Sequence, residues 1–159
     1  MSKRIAILSD THNLLRQDIL EGIRGCDAIL HAGDICSEEI MDQLRAAGPV
    51  YVVRGNNDFG WASSLSRSLV FQLEDLKFGM IHDKRYLSKE LREVDILIHG
   101  HTHQYDATWV GEQFQFNPGS AGRPRYTNEL TYAIMTLDGR DFSIEKRTLI
   151  PEKRRGFFW

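Results

Sequence analysis

Arg4-Ile5-Ala6-Ile7-Leu8-Ser9 runs without a break into Asp10-Thr11-His12. The first six residues are mostly apolar and aliphatic and read as a buried strand. The polar triplet then falls at its carboxyl end. The same layout recurs four times. Residues 28–32 lead into Gly33-Asp34, residues 50–53 into Gly55-Asn56-Asn57-Asp58, residues 77–81 into His82, and residues 96–99 into Gly100-His101-Thr102-His103. Sites in open α/β sheets form at the carboxyl ends of strands. Five strands would therefore deliver Asp, Asn and His side chains to one edge.

Between these strands the pattern turns helical. Residues 14–23 put Leu15, Ile19, Leu20 and Ile23 on one face. Residues 37–46 open on an N-cap serine, Ser37, with Glu38 and Glu39 in the first turn. A third, shorter helix is expected over 88–93. The last third changes character. Residues 107–110 and 113–117 flank Gly111-Glu112, and residues 131–137 and 140–148 flank Asp138-Gly139, a strong hairpin signal. The predicted fold class is α/β, a two-sheet β-sandwich flanked by helices. One domain over residues 1–150 is expected, followed by a basic and aromatic tail over 151–159 that either docks or frays.

The 159 residues suit a single domain with its own core. A formal net charge of -2 gives no electrostatic case for long nucleic acid as a partner. The apolar runs are too short to span a membrane, and the amino terminus reads as a strand entry. Cys26 and Cys36 form no CxxC pair. They read as free thiols in a reducing cytoplasm.

Taken singly, the polar strings are weak signals. Asp and His are common in loops, Gly-Asp usually marks a turn, and a lone histidine such as His82 is more often a hydrogen-bonded core residue than a ligand. His-x-His is stronger, because alternate residues of an extended segment face the same way. The ordered set of five strings holds four of the six histidines of the chain. In that order the sequence resembles the calcineurin-like metallophosphoesterase superfamily, and most of all its small single-domain bacterial and archaeal branch of phosphodiesterases. Asn117-Pro118-Gly119-Ser120 and the following Pro124-Arg125 extend the resemblance along nearly the whole chain.

That resemblance implies two divalent metal ions, one held by Asp10, His12 and His103, the other by Asn56, His82 and His101, with Asp34 bridging. The mixed donor set suits manganese first, with iron, zinc, cobalt or nickel open, better than calcium or magnesium. It further implies hydrolysis of a small phosphoester by a hydroxide bridging the two metals, with the metals balancing charge on the phosphorus oxygens. Four positive charges from the ions against three from Asp10, Asp34 and the hydroxide leave a centre that attracts phosphate. Where many members of the superfamily carry GNHD, this chain reads Gly55-Asn56-Asn57-Asp58. The Asn57 amide donates hydrogen bonds but cannot act as a general acid near neutral pH. The expected preference is for diesters and good leaving groups.

Asp58 reads either as a partner orienting a ligand histidine or as a turn aspartate. Arg123 and Arg125 read either as a grip on a substrate phosphate or as solvated surface. Trp61 and Phe59 either line a pocket or pack. His31 and His99 read as core residues. The resemblance is compatible with a homo-oligomer. It also admits a second class of function, a protein-binding scaffold of the same fold, like the retromer subunit Vps29, with vestigial or no catalysis. A nuclease or nucleotide hydrolase is a third, with mononucleotides and cyclic nucleotides open.

Overall fold

Strict alternation along the first strand divides the interior in two. In β1 (Lys3–Leu8), Ile5 and Ile7 point into one apolar cluster while Ala6 and Leu8 point into another. The structure, a computed structural model, describes residues 2–12, 14–122 and 129–149. Over these, β1 is followed by α1 (Gln17–Ile23), β2 (Ala28–His31), α2 (Glu38–Ala47) and β3 (Val50–Val52). Then come β4 (Ser68–Leu73), β5 (Leu76–Ile81), α3 (Lys89–Arg92), β6 (Ile96–Ile98), β7 (Tyr105–Val110), β8 (Gln113–Pro118), β9 (Leu130–Asp138) and β10 (Asp141–Leu149).

The strands form two mixed five-stranded sheets. One has the order β10-β9-β1-β2-β3 and the other β4-β5-β6-β8-β7. β1, β2 and β3 run parallel in the first sheet, and β5, β6 and β8 in the second. The terminal hairpin β9–β10 closes the first sheet, pairing antiparallel to β1, while β7 pairs antiparallel to β8 in the second. The five strands that lead into the polar strings are thus shared between two sheets, three in one and two in the other.

The main core lies between the sheets. Ile5, Ile7, Leu30, Met135, Phe78 and Phe116 meet there, and both phenylalanines are fully buried. Burying one such side chain contributes about 1.5–3 kcal/mol. A second cluster packs Ala6, Leu8, Ile29 and Ile134 under Ile19 and Ile23 of α1 and Met41 and Leu44 of α2. A third, smaller one packs Ile81 and Leu97 against Leu91 and Val94 around α3. Gly79 of β5 makes this contact close, since a Cβ there would lie 2.8 Å from Leu91 Cδ2 and 3.0 Å from Val94 Cγ2.

Ser37 caps α2 as its sequence suggests, accepting a hydrogen bond from the Glu39 backbone N–H. α1 begins at Gln17, later than the expected 14–23, and Arg16 gives it no side-chain cap. β4 was not legible in the sequence: it is half-exposed throughout and pairs antiparallel to β5 across the Glu74-Asp75 turn. Trp61 packs against the helix-side cluster, whereas Phe59 is exposed. The expected roles of Arg123, Arg125 and the 151–159 tail lie outside the described residues. No helix among the described residues is long and apolar enough to cross a membrane.

Candidate metal centre

Each polar string begins where its strand stops abruptly. Asp10, His12, Asp34, His101 and His103 all have positive φ, between 47° and 73°. Among the described non-glycine residues only Cys36 and Glu74 share this feature. Left-handed backbone is disfavoured for such residues, and its clustering marks a functional edge. The turns are braced from several sides. Ser9 Oγ donates to Asp10 Oδ2 at 2.7 Å. Ser120 Oγ donates to the Asp10 carbonyl at 3.1 Å. Asn117 Nδ2 donates to the Gly100 carbonyl at 3.1 Å and to Thr102 Oγ1 at 3.0 Å. The late Asn117–Ser120 string therefore acts as a strut beneath two of the ligand loops. His31, fully buried, accepts from the Gly33 N–H through Nδ1 and bonds Thr11 Oγ1 through Nε2.

Five of the expected ligands converge. Asp10 Oδ1 lies 3.3 Å from His103 Nε2, 3.6 Å from His12 Nε2 and 3.8 Å from His82 Nε2. Asp34 Oδ2 lies 3.3 Å from His82 Nε2 and 3.5 Å from His12 Nε2. The Nε2 atoms of His12 and His103 are 3.1 Å apart. Two ligand groups result, Asp10 with His12 and His103, and Asp10 with Asp34 and His82, each with donor atoms within 4.8 Å of one another. His101 and Asn56 stand outside this cluster, beside His82 in an adjoining cleft. His101 Nε2 faces Asp83 Oδ2 at 3.7 Å, while its backbone N–H donates to Asp10 Oδ2 at 3.2 Å.

The donor set fits a metal. Asp10 Oδ1 and His82 Nε2 are buried and make no hydrogen bond, a costly state for polar atoms that nothing coordinates. His82 Nδ1 lies 2.7 Å from the Ala32 carbonyl. With the Nδ1 proton donated there, the neutral ring turns a lone pair at Nε2 toward the carboxylates. Burial alone would raise the Asp10 carboxyl pKa, but His103, His12 and His82 outweigh it and hold the group below the usual range. Burial likewise raises Asp34, and His82 and Asn57 more than offset it. Burial lowers His82, yet Asp34 and Asp10 push its pKa up to about 9. The two carboxylates thus draw positive charge, a proton or a cation, to the His82 side of the cluster.

The neighbouring residues serve roles that the sequence did not separate. Asp58 does not orient a histidine. Its Oδ2 accepts from the Asp34 and Gly55 N–H groups at 2.9 and 2.8 Å, and its Oδ1 from the Cys36 N–H at 2.7 Å. It ties the loop after β2 to the loop after β3. Asn57 donates to both oxygens of Asp34, from its backbone N–H at 2.8 Å and from Nδ2 at 2.9 Å. Cys36 Sγ sits 3.8 Å from His12 Nδ1. Asp83, which follows His82 directly, was not singled out by its sequence context. Its carboxyl is lowered to about 2, first by its hydrogen bond from Arg85.

A family model described as the calcineurin-like phosphoesterase superfamily domain matches residues 4–140. The chain belongs to that superfamily. It is 33% identical over 156 residues to a probable metallophosphoesterase of Methanothermobacter thermautotrophicus, spanning 89% of this chain and 90% of the relative. Its fold is similar to that of Vps29 from Entamoeba histolytica, solved as a single mutant, with a TM-score of 0.78 at 25% identity over 92% of both chains. It is also similar to an archaeal phosphodiesterase, with a TM-score of 0.75 at 22% identity over 92% of this chain and 99% of the other. As a metallophosphoesterase-family chain it gathers its candidate metal ligands at the ends of strands from both sheets, five of them in left-handed backbone.

Proposed function

We propose that this chain hydrolyses phosphoesters with bound divalent metal ions, and that it prefers diesters to monoesters. The observation that supports this reading best is the convergence of Asp10, Asp34, His12, His82 and His103 around unpartnered buried donor atoms. His12 and His103 would hold one ion with Asp10, and His82 the other, completed from the cleft side by Asn56 and His101. Asp34, within reach of both His12 and His82, would bridge. Bound there, such ions supply Lewis-acid charge and water made acidic enough to be a nucleophile near neutral pH. Manganese suits this donor set, as do zinc and iron.

The residues of the chain set the selectivity. Asp10 and Asp34 bring two negative charges against the ions, so the loaded centre stays cationic and draws in an anion. Asn57 is committed to Asp34 and has no proton to give to a departing alkoxide. General acid assistance is typically worth about 10²–10⁴ in rate, so esters with acidic leaving groups should be favoured. The Asn57–Asp34 bond also keeps the Asp34 carboxylate ionised and oriented.

Metal-stripped protein given back manganese should cleave bis-p-nitrophenyl phosphate faster than p-nitrophenyl phosphate, and chelator should abolish the activity. Tight metal uptake with neither ester cleaved would favour the binding-module reading instead.

A further inference from the structure

Beyond His82 the sheet edge opens into a cleft of about 500 Å³, within the usual size range of small-molecule sites. Asn56, His82 and His101 line it together with Arg54, Arg67 and Arg85. The three arginines are not equivalent. Arg85 is neutralised by Asp83, with Nη2 2.6 Å from Oδ2 and Nε 3.1 Å from both carboxylate oxygens. Arg54 and Arg67 have no carboxylate partner among the described residues. Arg54 is further set apart because its Nε is buried and makes no hydrogen bond. A guanidinium held without an acceptor is unfavourable, and Arg54 lines the cleft, where an entering anion would balance its charge. The Arg54 backbone N–H donates to the Ser66 carbonyl at 2.8 Å, which brings the segment carrying Arg67 alongside. Tyr86, 71% exposed, adds an aromatic face to the same cleft.

We propose that this cleft is a second anion subsite, and that the preferred substrates are phosphodiesters whose flanking group carries a further phosphate. The proposal rests on the phosphoesterase reading above. The scissile phosphate would sit on the His82 and His101 side, and the second phosphate would meet Arg54 and Arg67. Arginine suits this task, since its planar fork of donors matches phosphate oxygens two at a time. The excess of two positive charges, left after Arg85 and Asp83 cancel, matches one phosphate dianion.

Two substrates isolate the effect: thymidine 5′-(p-nitrophenyl phosphate) with and without a 3′-phosphate, at fixed ionic strength. They share a leaving group and a scissile centre. The 3′-phosphorylated ester should show a KM lower by about tenfold or more, the size expected of one charge-assisted contact. The ratio of the two KM values should fall toward one in Arg54→Gln and in Arg67→Gln. Arg67 is exposed, so its variant tests the subsite without disturbing the core. Equal KM values in the wild type, or a ratio that survives in both variants, would overturn the subsite. Calorimetric binding of thymidine 3′,5′-bisphosphate against the 5′-monophosphate gives the same comparison without turnover. If the bisphosphate binds more tightly, and only while both arginines are present, the subsite stands even if neither ester is cleaved. In that case the phosphoesterase reading falls alone. Equal binding of the two nucleotides refutes the subsite even if both esters are cleaved.

Discussion

Asp58 holds three backbone N–H groups with one buried carboxylate, and those groups belong to Asp34, Cys36 and Gly55. These bonds tie the left-handed turn at Asp34 to the loop after β3. Replacing Asp58 with alanine strands all three donors. Hydrogen bonds to charged groups are worth about 1.5–3 kcal/mol each and do not add fully, so Asp58→Ala should lose about 3 kcal/mol of stability. Urea unfolding at neutral pH measures this. A loss under about 0.5 kcal/mol, the size of an ordinary surface substitution, would show that the clamp does not carry the loop. Asn57, its neighbour, illustrates the opposite economy: one short side chain and its own backbone N–H fix both oxygens of a single carboxylate.

The elements that carry the site were legible because each is an apolar run ending in a polar string, β3 included although it is only half-buried. β1, β2, β5 and β6 are largely buried, and their apolar runs stop at Ser9, His31, His82 and His99. β4 lacked that contrast, being half-exposed along its length. The sharing of parallel strands between two sheets was not legible either. Which strand lies beside which is a tertiary choice, set by packing of the two faces that alternation creates. The ligand strings could be read as motifs, since metal chemistry restricts which side chains serve. Asp83, Cys36, Arg54 and Arg67 could not, because each acquires meaning only from a neighbour that the fold supplies. The glycines preceding the ligands lie between these cases. A Cβ at Gly55 would collide with the Asp34 carboxylate, and one at Gly100 with Ser9 Oγ. Their place before a ligand is visible in the sequence, while the reason is visible only in the fold.

At the scale of the whole molecule, the buried histidines link stability to pH in two directions. Burial lowers the pKa of His31 and of His99 to about 4 from 6.5. Both rings are therefore neutral in the fold, and the stability tied to them falls as pH drops from 6.5 toward 4. His82 behaves oppositely in the absence of metal. Its pKa is raised to about 9, so its contribution is complete below 6.5 and is lost as pH rises through 9. For these groups together, the Tm of chelator-treated protein should peak near pH 6.5. Metal should remove the alkaline decline, because a ligand His82 must be neutral. A Tm that climbs steadily to pH 9 in chelator would contradict the protonated cluster.

On the proposed function, Asp34 joins both halves of one metal centre that cleaves phosphoesters. Asp34→Asn is isosteric and removes the shared charge. Metal content per chain by mass spectrometry, measured with bis-p-nitrophenyl phosphate hydrolysis on the same manganese-dialysed sample, tests it most directly. The wild type should carry about two ions per chain, as two-metal phosphoryl chemistry requires. The variant should lose metal and at least about 100-fold in rate together. A variant that keeps wild-type metal content and a wild-type rate would rule out a shared Asp34 ligand.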